Sequence, residues 1–545
     1  MRKILLVSLL ISLLHSSIGQ QSDRIPSEKP ELIIGLIMDQ MRPDQLYRYW
    51  DKFGDDGFKK LMNNGTVMNQ AGFSYYNTQS GPGYATIATG AQPSIHGIVS
   101  NDWYEILKDE STHCTGDIAA TAVGGHFEQG QYSSRNLIVS TIGDEIKLAG
   151  RANTMVYSIG WSNESAILSG GHAADAAFWI DPLNGKWMTS SHYKDSLPAW
   201  VQQFNEKKFP DIYLERIWTP LLPKEEYTEY FVNNNNEENL VIRKSHLPID
   251  LEKSSRIDRK TRDYSILKET PFGNTLMLDM AMNLLHEKQL GRDDDTDYLV
   301  INFPAMGPVS ERYGQESIEL EDVLLRLDQD LAHFLNSLDE LIGKNRILIF
   351  LTATHGMNKD PDYLKYWKLP VGEFDGKQAL SLLRSYMNVK LGRGNWVKAY
   401  YENQIYLNRV LIEDSKISLN DVRNEVANFM IQFEAVAHAV SATTIRSSYF
   451  PGGLNALIQN GYNPKRSGDV MVVLRSGWSL KEHSRMGTGY NYDRKVPLIW
   501  YGWRIGKNVI YRDIDIADIA PTISFFLNIP MPDACTGKPI LDMLE

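Results

Sequence analysis

One serine hydroxyl stands beside a glycine-rich turn in the stretch "NTQSGPGYATIATG", residues 77–90. The residues that follow Ser80 predict a helix that begins there, and the N-terminus of a helix favours an anion. A hydroxyl in that position could be an ordinary helix cap or a nucleophile aimed at an anionic substrate. The choice depends on what other groups the sequence supplies to the same place.

Three further polar residues come at predicted strand ends or helix starts: Asp39, Asn101 in "HGIVSNDWY", and His355 in "THG". A carboxylate, a hydroxyl and an imidazole that converge could hold a metal cation. Each residue also has an ordinary interpretation, because an Asp after a strand often caps a helix and a lone His is often structural. Their order along the chain is therefore more informative than any one of them.

The elements that would position these residues are apolar runs typical of buried parallel strands. They are "ELIIGLIMD" (31–39), "TMVYSIG" (154–160), "DYLVINF" (297–303) and "RILIFLTAT" (346–354). Between the last two, apolar residues from Leu320 to Leu341 follow helical spacing. Strand, helix and strand in succession predict an α/β fold, a mostly parallel sheet with helices on both faces. Ligands bind at the carboxyl ends of the strands in such sheets.

The length and composition allow one large α/β domain with insertions. The chain has 545 residues, of which 43% are hydrophobic and 23% are charged. The segment at about 186–272 does not continue the alternation of strands and helices. It predicts an inserted cap subdomain within a domain that covers 20–545. The net charge of −11 argues against binding to nucleic acid or to anionic membranes.

The N-terminus, residues 1–19, has the pattern of a secretory signal peptide. Arg2 and Lys3 precede the apolar run "ILLVSLLISLL", which is too short to span a bilayer. We therefore expect an exported protein without a transmembrane segment, soluble after cleavage, in the periplasm or outside the cell. Cys114 and Cys535 are the two cysteines, and the sequence leaves open whether they form a disulfide.

Several long motifs make the chain similar to the alkaline phosphatase superfamily, and most of all to its exported, phosphate-irrepressible bacterial members. The resemblance extends through nearly the whole mature chain and rests on "GLIMDQMRPDQL", "SGPGYATIATGAQPSIHGIVSNDWY", "GGHAADAAFWID", "TPFGNTLMLDMAMNLLHEKQLG", "FLTATHG", "GYNYDRKVPLIWYG" and "DIADIAPTISFFLNIPMPDACTGKPIL". It implies an alkaline-phosphatase-like fold and hydrolysis of phosphate esters with two zinc ions and a Thr or Ser nucleophile.

The resemblance also implies residue roles. It places Ser80 at the nucleophile and Asn101 at an amide that contacts phosphate. It places Asp39 and His355 at ligands of the zinc ion that activates the nucleophile.

Other positions depart from the family pattern. Thr354 replaces an Asp ligand of the first zinc, and Gly307, Glu311 and Met486 occupy the ligand positions of the second. A glycine has no donor atom and a thioether is a poor zinc ligand. Ser162 and Glu164 stand where the family has a Lys and an Arg that grip phosphate, and we expect Glu164 to repel a phosphate dianion.

These departures predict that the two-zinc site is lost. We expect no cofactor, or a single weakly bound zinc for which Glu311 could be recruited. The spacing gives no histidine to replace zinc as the activator of Ser80, and a helix N-terminus contributes only about 0.3–1 kcal/mol. The sequence therefore predicts a catalytically inactive pseudophosphatase that serves as a binding or scaffold subunit for another envelope protein. The alternative is an active hydrolase of phosphate or sulfate esters that uses Ser80 with an altered metal site.

Overall fold

A computed structural model describes residues 28–228, 245–258, 261–481 and 487–544. The central element is one mixed sheet of ten strands with helices packed against it, which confirms the predicted α/β fold class. The signal-like residues 1–19 and Met486 lie outside the described residues.

The strands are numbered in chain order. They are β1 (Leu32–Met38), β2 (Thr66–Gly72), β3 (Asp102–Glu105), β4 (Glu110–His113), β5 (Ala122–Val123), β6 (Val156–Ile159), β7 (Ala176–Ile180), β8 (Trp187–Ser190), β9 (Ile217–Trp218), β10 (Ile249–Asp250), β11 (Asp297–Phe303), β12 (Ile347–Ala353), β13 (Gly372–Phe374), β14 (Val397–Tyr401), β15 (Gln404–Leu407), β16 (Val436–Ser441), β17 (Val470–Leu474), β18 (Trp478–Leu480), β19 (Leu498–Gly502) and β20 (Asn508–Asp515).

The α-helices are numbered in the same way. They are α1 (Pro43–Arg48), α2 (Phe58–Asn64), α3 (Ser80–Thr89), α4 (Pro93–His96), α5 (Ile142–Ala149), α6 (Asn163–Gly170), α7 (Ala199–Glu206), α8 (Phe209–Leu214), α9 (Leu251–Ser255), α10 (Pro271–Lys288), α11 (Met306–Tyr313), α12 (Ile318–Leu341), α13 (Pro361–Tyr366), α14 (Gly376–Leu391), α15 (Arg409–Asp414), α16 (Leu419–Met430), α17 (Ala442–Ser447), α18 (Gly453–Gly461), α19 (Asn491–Arg494) and α20 (Ile519–Leu527).

Short 3₁₀ helices lie at Trp50–Lys52, Phe127–Gln129, Ser134–Asn136, Lys224–Glu226, Tyr264–Glu269, Lys344–Arg346 and Ile516–Asp518.

The large sheet has the strand order β20-β2-β19-β12-β1-β11-β6-β7-β8-β5. Its centre, from β12 to β7, is parallel, whereas β19, β8 and β5 pair antiparallel with their neighbours. The carboxyl ends of β1, β11 and β12 therefore meet at one edge, where Met38, Phe303 and Ala353 are in register. This is the edge at which parallel sheets bind ligands.

The central strands form because their residues are apolar on both faces. Every residue of β1, β11 and β12 is buried, as expected for strands covered on both sides. Gly35 in β1 is required by packing, because a Cβ there would lie 2.6 Å from the ring of Phe350. The helix predicted between β11 and β12 is α12, which buries the predicted apolar residues from Leu320 to Leu338.

Beside the large sheet, β14, β15, β17 and β16 form a four-stranded antiparallel sheet with its own apolar core. The segment at about 186–272 begins with β8 of the large sheet, and its other described parts are short helices and a two-stranded ribbon, β9 with β10. The division into a main domain and a cap stays a prediction.

Two further sequence expectations concern the cysteines and the membrane. Cys114 and Cys535 are free thiols, and Cys114 is buried. None of the helices in the described ranges combines the length and the hydropathy that are needed to cross a bilayer.

Candidate active site

Ser80 is the first residue of helix α3, which is buried along its whole length. The glycines around it allow close packing that a larger residue would prevent. A Cβ on Gly83 would lie 2.8 Å from Cβ and 2.9 Å from Cα of Thr354, and closer still to its carbonyl oxygen. Because Gly83 lies one turn after Ser80, this contact fixes the start of α3 against the segment that carries His355.

Asp39 follows directly after β1 and meets Ser80 from the sheet side. The Ser80 hydroxyl donates to Asp39 Oδ1 at 2.6 Å, and the Thr354 hydroxyl lies 3.4 Å from the same oxygen. The Asp39 backbone is fixed by its N–H, which donates to the carbonyl of Phe303 at 2.9 Å. Burial raises the pKa of the Asp39 carboxyl, while His355 and the Ser80 hydroxyl act in the opposite direction.

His355 is fully buried just after β12, the strand that pairs with β1 on the side opposite to β11. Its Nε2 lies 3.4 Å from Ser80 Oγ. Its Nδ1 lies 2.6 Å from the carbonyl oxygen of Gly356, which can only accept, so Nδ1 carries the proton and Nε2 presents a lone pair to Ser80. Burial lowers the pKa of His355, despite the opposing charge of Asp39, and this favours the neutral ring.

Asn101 contacts the first turn of α3 at Gly81. Its side-chain carbonyl accepts the backbone N–H of Gly81 at 2.7 Å, and its own backbone N–H donates to Gln79 at 2.8 Å. With Oδ1 occupied in this way, the two N–H bonds of Nδ2 remain for a ligand at Ser80. The structure thus brings together Asp39, Ser80, Asn101 and His355.

The substituted positions are arranged differently. Gly307 adjoins Asp39, since a Cβ there would lie 3.8 Å from Asp39 Oδ2, but it offers no donor. Glu311 is on the exposed face of α11, while the preceding Ser310 is buried and donates to Gln40. Thr354 stays next to Asp39.

The loss of the two-zinc site stays a prediction, because the ligand position at Met486 lies outside the described residues. The described residues contain no group of three or more His, Cys, Asp or Glu side chains that could hold a metal ion. One ion is a different case, because Asp39 Oδ1 and His355 Nε2 both lie against Ser80 Oγ. The bond from Nδ1 to a backbone carbonyl is also the usual support of a metal-binding histidine.

Two features of the site were missed by the sequence reasoning. The first is the orientation of the His355 ring: its Nδ1 lies against the carbonyl of Gly356 and its Nε2 faces Ser80, which spacing along the chain does not reveal. The second is Lys268, on the 3₁₀ helix Tyr264–Glu269, which lines a small cavity together with Asp39 and Glu164. No periodicity marks Lys268, and only its place just before the family motif "TPFG" could have indicated it.

The chain matches the family model for type I phosphodiesterase / nucleotide pyrophosphatase over residues 33–496. It is 36% identical to alkaline phosphatase PafA of Elizabethkingia meningoseptica, with 96% of each chain covered. It is 32% identical to alkaline phosphatase PhoV of Synechococcus elongatus, with 95% of this chain and 93% of the relative covered. The crystal structure of a PafA mutant superposes with a TM-score of 0.87 at 36% identity and covers 96% of this chain and 100% of that one.

The expectation of a catalytically inactive scaffold protein is wrong. Two relatives that match nearly the full chain, at 36% and 32% identity, are alkaline phosphatases, and the fold matches that of PafA. The expectation gave the substituted zinc ligands more weight than the retained Asp39, Ser80 and His355, which the structure brings into contact. The envelope partner that accompanied this expectation stays untested.

Proposed function

Because this chain belongs to the type I phosphodiesterase / nucleotide pyrophosphatase family of the alkaline phosphatase superfamily, we propose that it hydrolyses phosphoric esters with Ser80 as the nucleophile. One observation carries the proposal: Ser80 Oγ lies at a helix N-terminus, 2.6 Å from Asp39 Oδ1 and 3.4 Å from His355 Nε2. A nucleophile within hydrogen-bond reach of a base is an arrangement that covalent catalysis requires.

The first step is attack of Ser80 Oγ on phosphorus. The hydroxyl already donates to Asp39 Oδ1, so this carboxylate takes the proton as the new P–O bond forms. Burial raises the pKa of Asp39 and so makes the carboxylate a stronger base than an exposed one. The hydroxyl has a single proton, which goes to Asp39, so the neutral His355 accepts no hydrogen bond from Ser80 in this state, and its Nε2 presents a lone pair to a cation beside Oγ.

The phosphoryl oxygens need donors as negative charge builds up on them. Asn101 Nδ2 supplies one donor, because its Oδ1 is held by Gly81 N–H. The N-terminus of the ten-residue helix α3 adds its partial positive charge. The bond from phosphorus to the ester oxygen breaks, and this oxygen takes a proton from water and leaves as an alcohol. The resulting hydroxide attacks the phosphoserine, the bond from phosphorus to Ser80 Oγ breaks, Asp39 returns its proton to Oγ, and phosphate is released.

We further propose that the chain holds at most one zinc ion, weakly, between Asp39, His355 and Ser80. When bound, such an ion would lower the pKa of the Ser80 hydroxyl as a Lewis acid does. The absence of a suitable donor set for two ions in the described ranges supports this limit. The signal-like N-terminus, residues 1–19, supports the proposal that the chain is exported.

The test is hydrolysis of p-nitrophenyl phosphate and bis(p-nitrophenyl) phosphate by the purified chain, with chelator and with added zinc. We expect turnover by the wild type and a loss of about 10³-fold or more in Ser80→Ala. Ser385→Ala is the matched control, because Ser385 is exposed on α14 and bonds only to the carbonyl of Ser381.

Three results would each contradict a part of the proposal. Absence of turnover with either ester in all metal conditions would exclude hydrolysis of phosphoric esters. Equal turnover by Ser80→Ala and Ser385→Ala would exclude Ser80 as the nucleophile. Metal analysis that finds two tightly held zinc ions per chain would refute the limit of one.

A further inference from the structure

A small cavity opens next to Asp39 at the active site. It has a volume of about 70 Å³ and is lined by Asp39, Tyr84, Trp161, Ser162, Glu164, Ser165, Lys268, Asn302, Pro304 and Pro308. A water molecule takes up about 30 Å³ of liquid, so the cavity has room for about two or three non-hydrogen atoms. It is therefore the size of a short substituent on a phosphoester and not of a large leaving group.

Besides the Asp39 carboxylate, the cavity wall carries two opposite charges, Glu164 and Lys268, that do not form an ion pair with each other. Within the described parts of the chain, Glu164 accepts no hydrogen bond, and its one ion pair is with His113 at 4.0 Å, the outer limit of such a contact. Lys268 makes no ion pair or hydrogen bond within the same residues. Both side chains are close enough to Asp39 to act on it, since Glu164 raises and Lys268 lowers its pKa, though burial and His355 have larger effects.

Glu164 also has an ordinary explanation, because it lies in the first turn of α6, where a helix favours an acid. That explanation does not account for its position in the cavity wall. The helix N-terminus is already capped by the Ser162 side chain, which accepts from Ser165 N–H. Glu164 is 22% exposed and faces the same space as the buried rings of Tyr84 and Trp161.

A carboxylate beside two aromatic rings is the environment that recognises an ammonium group. An ammonium group at Glu164 would neutralise the Glu164 carboxylate, and a phosphate near Lys268 and Ser80 would neutralise the Lys268 ammonium. We infer that the substrates of this site are phosphoesters of short amino alcohols, in which Glu164 binds the ammonium and Lys268 binds the phosphate. This inference rests on the proposed hydrolysis at Ser80 and names the substrate class of that same site.

The test compares 2-aminoethyl phosphate with propyl phosphate, which has the same number of non-hydrogen atoms but no charge on its alkyl end. We expect the wild type to prefer the aminoethyl ester in kcat/KM. In Glu164→Gln the ratio of the two kcat/KM values should fall by about 10- to 100-fold, the factor that one charged hydrogen bond supplies. The loss should fall on the aminoethyl ester, because propyl phosphate makes no contact with the charge.

Three variants separate this effect from a general one. Glu110→Gln removes the same charge at an exposed position of β4, and its ratio should equal that of the wild type. Lys268→Met should lower kcat/KM for both esters to a similar extent and leave the ratio unchanged. Glu164→Asp keeps the charge and should retain most of the preference.

The outcomes distinguish this inference from the proposed function. If the wild type hydrolyses both esters equally and Glu164→Gln leaves the ratio unchanged, the amino alcohol preference is overturned while hydrolysis at Ser80 stands. If the wild type hydrolyses neither these esters nor p-nitrophenyl phosphate, the proposed function is overturned and this inference with it.

Discussion

Replacement of Gly83 by alanine tests whether the contact between α3 and the His355 segment positions the nucleophile. The new Cβ would lie 2.8 and 2.9 Å from Thr354 Cβ and Cα. Carbon atoms in good contact are about 3.5–4.0 Å apart, so the two backbones would have to separate by about 0.6–1.2 Å. Thr354 cannot yield easily, because its own backbone N–H is held by the carbonyl of Met38 at 3.0 Å.

The expected effect on stability is modest. Overpacking lowers the free energy of unfolding by about 1–3 kcal/mol, whereas alanine in place of glycine within a helix raises it by about 1 kcal/mol. The expected effect on activity is larger. The separation would move Ser80 Oγ from its position 3.4 Å from His355 Nε2, and a misplacement of about 1 Å can cost about 10²-fold in rate.

The assay is kcat/KM for p-nitrophenyl phosphate, measured beside urea denaturation of the same samples. Gly461→Ala is the matched control, because the nearest atom to its new Cβ would be Tyr76 N at an ordinary 3.7 Å. We expect Gly461→Ala to keep full activity and Gly83→Ala to lose about 100-fold with a stability loss below about 2 kcal/mol. Activity of Gly83→Ala within about threefold of the wild type would refute the role of this contact in positioning Ser80.

Three further predictions concern the phosphate donor, a buried ion pair and a buried acid. Asn101→Ala should lower kcat for phosphoesters by about 10²–10³-fold, as loss of one donor to a developing oxyanion does, and an unchanged kcat would exclude that role. Asp469→Asn should cost about 3–5 kcal/mol in urea denaturation, because it leaves the buried Arg423 guanidinium, 2.6 Å from Asp469 Oδ1, without its counter-charge. Burial raises the pKa of Asp493 from 3.8 to about 8, although Thr488 donates to it. Between pH 3.8 and about 8 the Asp493 carboxyl keeps its proton in the folded protein and loses it in the unfolded chain. As the pH rises through this range, the free energy of unfolding of the wild type should therefore fall by about 1.4 kcal/mol per pH unit relative to Asp493→Asn. Parallel curves of unfolding free energy against pH for the two proteins would contradict this prediction.

The sequence by itself predicts the central strands and two of the helices. The apolar runs that became β1, β6, β11 and β12 and the spacing that became α12 are local patterns, so the sequence predicts them directly. The same holds for the start of α3 at Ser80, because the polar and glycine residues that begin a helix are neighbours in the chain.

The contacts among the site residues were decided only by tertiary structure. Ser80 meets Asp39 across 41 positions and His355 across 275, and the order of β12, β1 and β11 in the sheet brings them to one edge. The residue types at the zinc-ligand positions can be read from the sequence, and the loss of the two-zinc site stays a prediction. The sequence does not show that the His355 imidazole is buried or which of its nitrogens faces the hydroxyl. The sequence could not predict that Glu164 and Lys268 line one cavity, because no local pattern indicates which distant side chains lie close together.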